Sequence, residues 1–129
     1  MTSGEVARGP HTTFVLTLIN AAMVAADEKL GRDTVALDFR GLVDSFDALV
    51  IVSGRNDRHV RAIVEEVERL VDVVIGVRPD RVEGWQSAEW IALDYVDVIV
   101  HVFDEAAREY YDLEHLWSAA PAQRAARIR

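Results

Sequence analysis

Apolar residues recur along this chain with two periods. Val15, Leu18, Ala22 and Ala25 or Ala26 are spaced by three or four, which predicts a helix over 12–30 with Gly31 as its stop. Val60, Ile63, Val64, Val67, Leu70, Val71 and Val74 form a second stripe and predict the strongest helix of the chain. Asn56 or Asp57 suits its N-cap, and Gly76 suits its end. Strands are predicted at 35–39, 48–52 and 80–83. The run at 48–52 is apolar without a break, as expected of a strand covered on both faces. Two further strands, 90–95 and 98–103, predict a hairpin, and a short helix is predicted at 105–111.

This order of elements is that of an α/β domain. The strand–helix–strand unit over 48–83 predicts a right-handed parallel crossover, and the hairpin predicts antiparallel pairing. A mixed sheet of about five strands with flanking helices follows. At 129 residues the chain is one domain with room for a real core. Residues 1–11 read as a flexible polar lead-in, 12–118 as the domain, and 119–129 as a flexible tail carrying Arg124, Arg127 and Arg129.

Side chains alternate along a strand, so the hairpin sorts its residues onto two faces. Trp90, Ala92 and Asp94 share one face, and Ile91, Leu93 and Tyr95 share the other. On the next strand Asp97, Ile99, His101 and Phe103 oppose Val98, Val100 and Val102. One side of the sheet is therefore apolar, and the other offers Trp90, Asp94 and His101. A large ring between carboxylates and an imidazole suits a protein interface. The alternative is a Trp90 partly buried under a helix and an Asp94 that merely ends its strand. Tyr110, Tyr111, Leu113, Leu116 and Trp117 suit either the same surface or a clasp over the sheet.

Charge narrows the choice of partner. Ten acids lie between Asp80 and Glu114 against only Arg81 and Arg108, which accounts for the whole net charge of −8. Such a surface argues against direct nucleic-acid binding and suits a basic protein, or simply confers solubility. The chain has no cysteine, which excludes disulfides, thiolate metal sites and cysteine nucleophiles and fits a cytoplasmic setting. No apolar run approaches the roughly 20 residues that span a bilayer, so no membrane association is expected.

Enzymatic signals are weak. Ser53-Gly54 follows a buried strand, as a Gly-Ser does in nucleotidyltransferases, but the order is reversed and no Asp-x-Asp follows nearby. One carboxylate, Asp57, cannot clamp two metal ions, so Ser53-Gly54 reads as a tight strand-to-helix turn. The histidines, His11, His59, His101 and His115, lack the close spacing of a metal site, and His101 reads as a hydrogen-bonded structural residue. No catalytic residue, metal ligand or cofactor is expected.

Five segments, in order, resemble the Iojap family of ribosomal silencing factors: A-L-D-F-R-G-L, D-A-L-V-I-V-S-G-R-N-D-R-H-V-R-A-I, R-V-E-G, W-I-A-L-D-Y-V-D-V-I-V-H-V-F and R-E-Y-Y-D-L-E-H-L-W. Together they cover roughly 16–121. The resemblance implies a nucleotidyltransferase-like fold without catalytic residues. It further implies a translational repressor that binds the large ribosomal subunit through ribosomal protein L-fourteen, blocks joining with the small subunit when nutrients are scarce, and forms homodimers when free. The residues it matches are Trp90, Asp94, Asp97, His101, Tyr111 and Glu114, with Leu113, Leu116 and Trp117 beside them; with Tyr95, which the hairpin places just before its turn, the first six are the expected partner-binding residues. Two departures stand out: Ala48 and Leu49 replace an aromatic pair found in many members, and Val96 occupies a hairpin-turn position where many have Gly. The competing readings are a nucleotidyltransferase-type enzyme and a dimeric adaptor for some other basic protein.

Overall fold

The structure, a computed structural model, describes residues 10–113, 115 and 124–126. Glu114, Leu116 and Trp117 lie outside these described residues. The elements are α1 (Pro10–Glu28), β1 (Arg32–Asp38), β2 (Ala48–Gly54), α2 (Asp57–Ile75), β3 (Arg81–Glu83), β4 (Trp90–Asp94), β5 (Val98–Asp104), α3 (Glu105–Tyr111) and β6 (Arg124–Ala126). They form one mixed sheet in the order β3-β4-β5-β2-β1-β6.

β2 and β5 pair in parallel, and every other neighbouring pair is antiparallel. β3 therefore runs in the same sense as β2, but at the far edge, with β4 and β5 between them. The crossover expected over 48–83 spans two strands rather than joining neighbours, and the parallel neighbour of β2 is β5. β6 pairs with β1, so part of the segment expected to be a tail adds a sixth, three-residue strand.

α1 and α2 cover one face of the sheet. α1 begins at Pro10, inside the expected lead-in; proline is at home in the first turn because its missing N–H has no helical partner there. Its buried Ala21, Ala22, Ala25 and Ala26 are small, and α1 packs closely beside α2. α2 buries Val60, Ile63, Val64, Val67 and Val71. Val74, expected in that stripe, is half exposed in the last turn. The Asn56 carboxamide oxygen accepts from the His59 N–H at 2.8 Å, and Gly76 closes the helix with φ +68°.

β2 is buried along its full length because both of its faces are covered. Ala48, Val50 and Val52 meet the helices. Leu49 and Ile51 point the other way, into a second, smaller core with Val35, Leu37, Phe39, Phe103 and Ala107. Trp90, Ile99 and Leu113 pack against that second core, which sits beneath α3 and carries the candidate site.

Candidate docking face

β4 and β5 set the site. Their register places Trp90 opposite Phe103, Ala92 opposite His101, and Asp94 opposite Ile99. The expected alternation is met: Ile91, Leu93, Val98, Val100 and Val102 are fully buried toward the helices, and Trp90, Asp94, Ile99 and His101 are only partly covered on the other side.

Trp90 is the centre of this face. Its indole lies nearly parallel to Phe103, with ring centroids 4.9 Å apart and an interplanar angle of 25°. Tyr111, delivered by α3, tilts against it at 4.8 Å. Its Nε1–H donates to His101 Nδ1 at 2.8 Å. The indole is thus held from three sides while part of it stays open to solvent. Burial lowers the His101 pKa to about 4, so the imidazole is neutral near pH 7, and its Nδ1 is the acceptor for Trp90.

The acids expected alongside are elsewhere on the face or otherwise engaged. Asp94 lies four residues from Trp90, about 13 Å along the strand. Its Oδ1 accepts from the Val96 N–H at 2.8 Å, so it organises the turn. That turn also carries an Asp97 N–H to Tyr95 C=O bond at 2.9 Å around Val96, whose φ is +74°. Val96 therefore adopts the geometry that glycine would take without strain. Asp97 sits near His11 and Asp47, with His11 Nε2 2.8 Å from Asp47 and 4.0 Å from Asp97. This is the one group of three ligating side chains among the described residues close enough to share an ion, and it lies at the N-terminal ends of β2 and β5, away from Trp90.

Tyr95 does not share this side of the sheet with Trp90. It follows the parity of Ile91 and Leu93 into the helix-side core, where it is 4% exposed. Burial and the nearby Glu68 and Asp72 carboxylates push its phenol pKa up. Two further residues of the patterned surface belong to this site. Phe103 is the buried floor under Trp90, and Tyr110, 82% exposed, stands edge-on to Tyr111 at 5.0 Å. Alternation signals Phe103; nothing in the pattern separates Tyr110 from Tyr111.

The Ser53-Gly54 turn is accounted for by packing. Arg108 Nη1 donates to Ser53 Oγ at 2.9 Å. A Cβ on Gly54 would lie 3.0 Å from the Val60 backbone nitrogen, so glycine lets α2 start directly against the strand end. His59 spends both ring nitrogens there: Nδ1 accepts from the Arg55 N–H at 2.9 Å, and Nε2 donates to the Lys29 carbonyl at 2.6 Å. Asp104, across from Gly54, is the nearest carboxylate by register, and its Oδ1 caps α3 through the Ala107 N–H. Its neighbour Glu105 pairs with Arg32 at 2.8 Å. Among the described residues no pair of acids faces Ser53 as a two-metal clamp would require. No helix is long and apolar enough to cross a membrane among the described residues.

Comparison with known proteins agrees with this picture. Residues 13–129 match the family model described as "Ribosomal silencing factor during starvation". A Bacillus subtilis relative named ribosomal silencing factor RsfS is 37% identical over 105 residues, covering 81% of this chain and 88% of that one. A crystal structure from Chromobacterium violaceum superposes with a TM-score of 0.76 at 31% identity, covering 88% of this chain and 92% of the other. A mouse relative named mitochondrial assembly of ribosomal large subunit protein 1 is 31% identical over 75 residues, which is 56% of this chain and 32% of the mouse protein. The five motifs, the mixed sheet and these matches agree, and the chain belongs to the family of ribosomal silencing factors.

Proposed function

We propose that this protein represses translation by binding the large ribosomal subunit through ribosomal protein L-fourteen, so that the small subunit cannot join. Family membership over 13–129 carries the reading. The name of the mouse relative supports the large subunit as the target. The face around Trp90 supports a protein partner: a partly exposed tryptophan, rigidly backed by Phe103, Tyr111 and His101, is the kind of anchor that dominates interfaces. The acidic segment from Asp80 to Glu114 suits a basic ribosomal protein. Glu114 is retained in the docking set, and Tyr95 is not.

In this reading the protein acts by occupying a surface and performs no nucleotide chemistry. It works in the cytoplasm and self-associates when free. Sedimentation of the added protein with purified subunits tests the proposal. Recovery with free large subunits, and with neither small subunits nor joined ribosomes, is expected. Equal recovery on both subunits would overturn it.

A further inference from the structure

Beside the Trp90 stack, a hollow of about 280 Å³ opens between the start of β4 and α3. Glu89, Asp104, Tyr110 and Tyr111 line it, with the alanines of the first turn of α3 as its floor. We infer that this hollow is the receptacle for one basic side chain of the docking partner, an arginine; the inference rests on the ribosome-binding reading and names the chemistry of the contact.

Three observations converge on that occupant. The first is charge. Among the described residues neither Glu89 nor Asp104 has an ion-pair partner: Glu105 takes Arg32, and Arg108 points to Ser53 and the Arg32 carbonyl. Asp104 Oδ1 is engaged with the Ala107 N–H at 2.7 Å, which leaves Oδ2 for a ligand. The second is shape. Tyr110 and Tyr111 stand at 90° to each other, so their rings form two walls of a corner. A planar guanidinium offers five donors to carboxylates and a flat face to a ring, which an ammonium does not. The third is continuity. Tyr111 is shared with the Trp90 stack, so an arginine seated here lies next to the anchor already described. A phosphate is excluded from the hollow by its two carboxylates, and an apolar side chain would leave them desolvated and unpaired.

The contact can be probed with and without the ribosome. N-acetyl-arginine amide is titrated into the full chain and followed by amide NMR, with N-acetyl-citrulline amide as the uncharged isostere. Saturable shifts at Glu89 and across 105–111 are expected with arginine and not with citrulline. They should vanish in E89Q/D104N, where asparagine still caps α3. In parallel, affinity for purified large subunits should fall about tenfold in E89Q/D104N and in Y110A, with a shallower salt dependence for the former. Tyr110 is too exposed for its loss to threaten the fold.

Equal response to arginine and citrulline would overturn the inference. So would arginine binding accompanied by unchanged large-subunit affinity in both variants. If the wild-type chain fails to bind large subunits at all, the ribosome reading falls, and the NMR titration separately decides whether the hollow takes a guanidinium.

Discussion

Replacing Val96 with glycine should stabilise the protein, although it removes an apolar side chain. Val96 has φ +74° and sits inside a three-residue turn closed by the Asp97 N–H to Tyr95 C=O bond of 2.9 Å. A left-handed backbone costs an L-residue about 1–2 kcal/mol, and a β-branched one belongs at the upper end. Glycine avoids that cost but loses about 0.5–1 kcal/mol through its freer unfolded chain. The side chain is 56% exposed, so its loss removes little burial. The net expectation is a gain of about 1 kcal/mol, or roughly 3–5 °C in Tm for a chain of this size. Urea and thermal melts of Val96→Gly, with Val96→Ala beside it, make the test, and an unchanged urea m-value shows that the surface exposed on unfolding is the same in each. Alanine keeps the strained φ, so it should gain nothing. If glycine is no more stable than alanine, Val96 stores no strain and the turn is not as described. Large-subunit binding should be unaffected by either change.

Other changes test the face and its support. Trp90→Phe keeps a ring over Phe103 but leaves His101 Nδ1 without its donor; it should lower stability by about 1–2 kcal/mol in urea melts and weaken large-subunit binding severalfold. Trp90→Glu is the harsher probe, because it places a carboxylate among three rings, and its circular dichroism should show lost tertiary signal before any binding question arises. The His101 pKa is lower folded than unfolded, so between about pH 6.5 and 4 the unfolded chain binds the extra proton and stability falls as pH falls, by up to about 1.36 kcal/mol per pH unit; His101→Phe should flatten that part of a stability-versus-pH curve. Gly84→Ala would drive a Cβ into the Trp90 carbonyl at φ +90°, so its melt should drop by more than about 2 kcal/mol, with hydrogen exchange accelerated first in β3 and β4.

The two-residue period of the hairpin was enough to put Trp90 and His101 on one face and to send Tyr95 with Ile91 and Leu93 to the other. The burial of Tyr95 follows its parity, against the docking role expected for it from its place beside the hairpin turn. Local chemistry likewise marked Asn56 and Gly76 as the ends of α2. Neither period nor propensity reveals which strands become neighbours. That β5 inserts between β2 and β4, and that Tyr111 returns from α3 to tilt against Trp90, are outcomes of long-range packing. The Asp94 side chain illustrates the remaining gap: an acid at a strand end reads equally as a free charge or a turn cap, and only the Val96 N–H at 2.8 Å decides. β6 was illegible because Arg124–Ala126 is short and lacks an apolar pattern.

The central place of β5 in the sheet sets an order of events during synthesis. β1 and β2 can pair as soon as they emerge, but the sheet between β2 and β4 is filled only once residues 98–104 are available. Until then β2, with its apolar run from Ala48 to Val52, presents an open edge of unpaired backbone groups, and β4 has no partner on its inner side. Such edges attract other chains. Parallel pairing across the roughly 50 residues that separate β2 from β5 is also slow to nucleate, because the intervening loop must close first. The Trp90 face depends on the same late strand for Phe103 and His101 and on α3 for Tyr111. A growing chain therefore has no assembled Trp90 face until Tyr111 has cleared the ribosome that makes it.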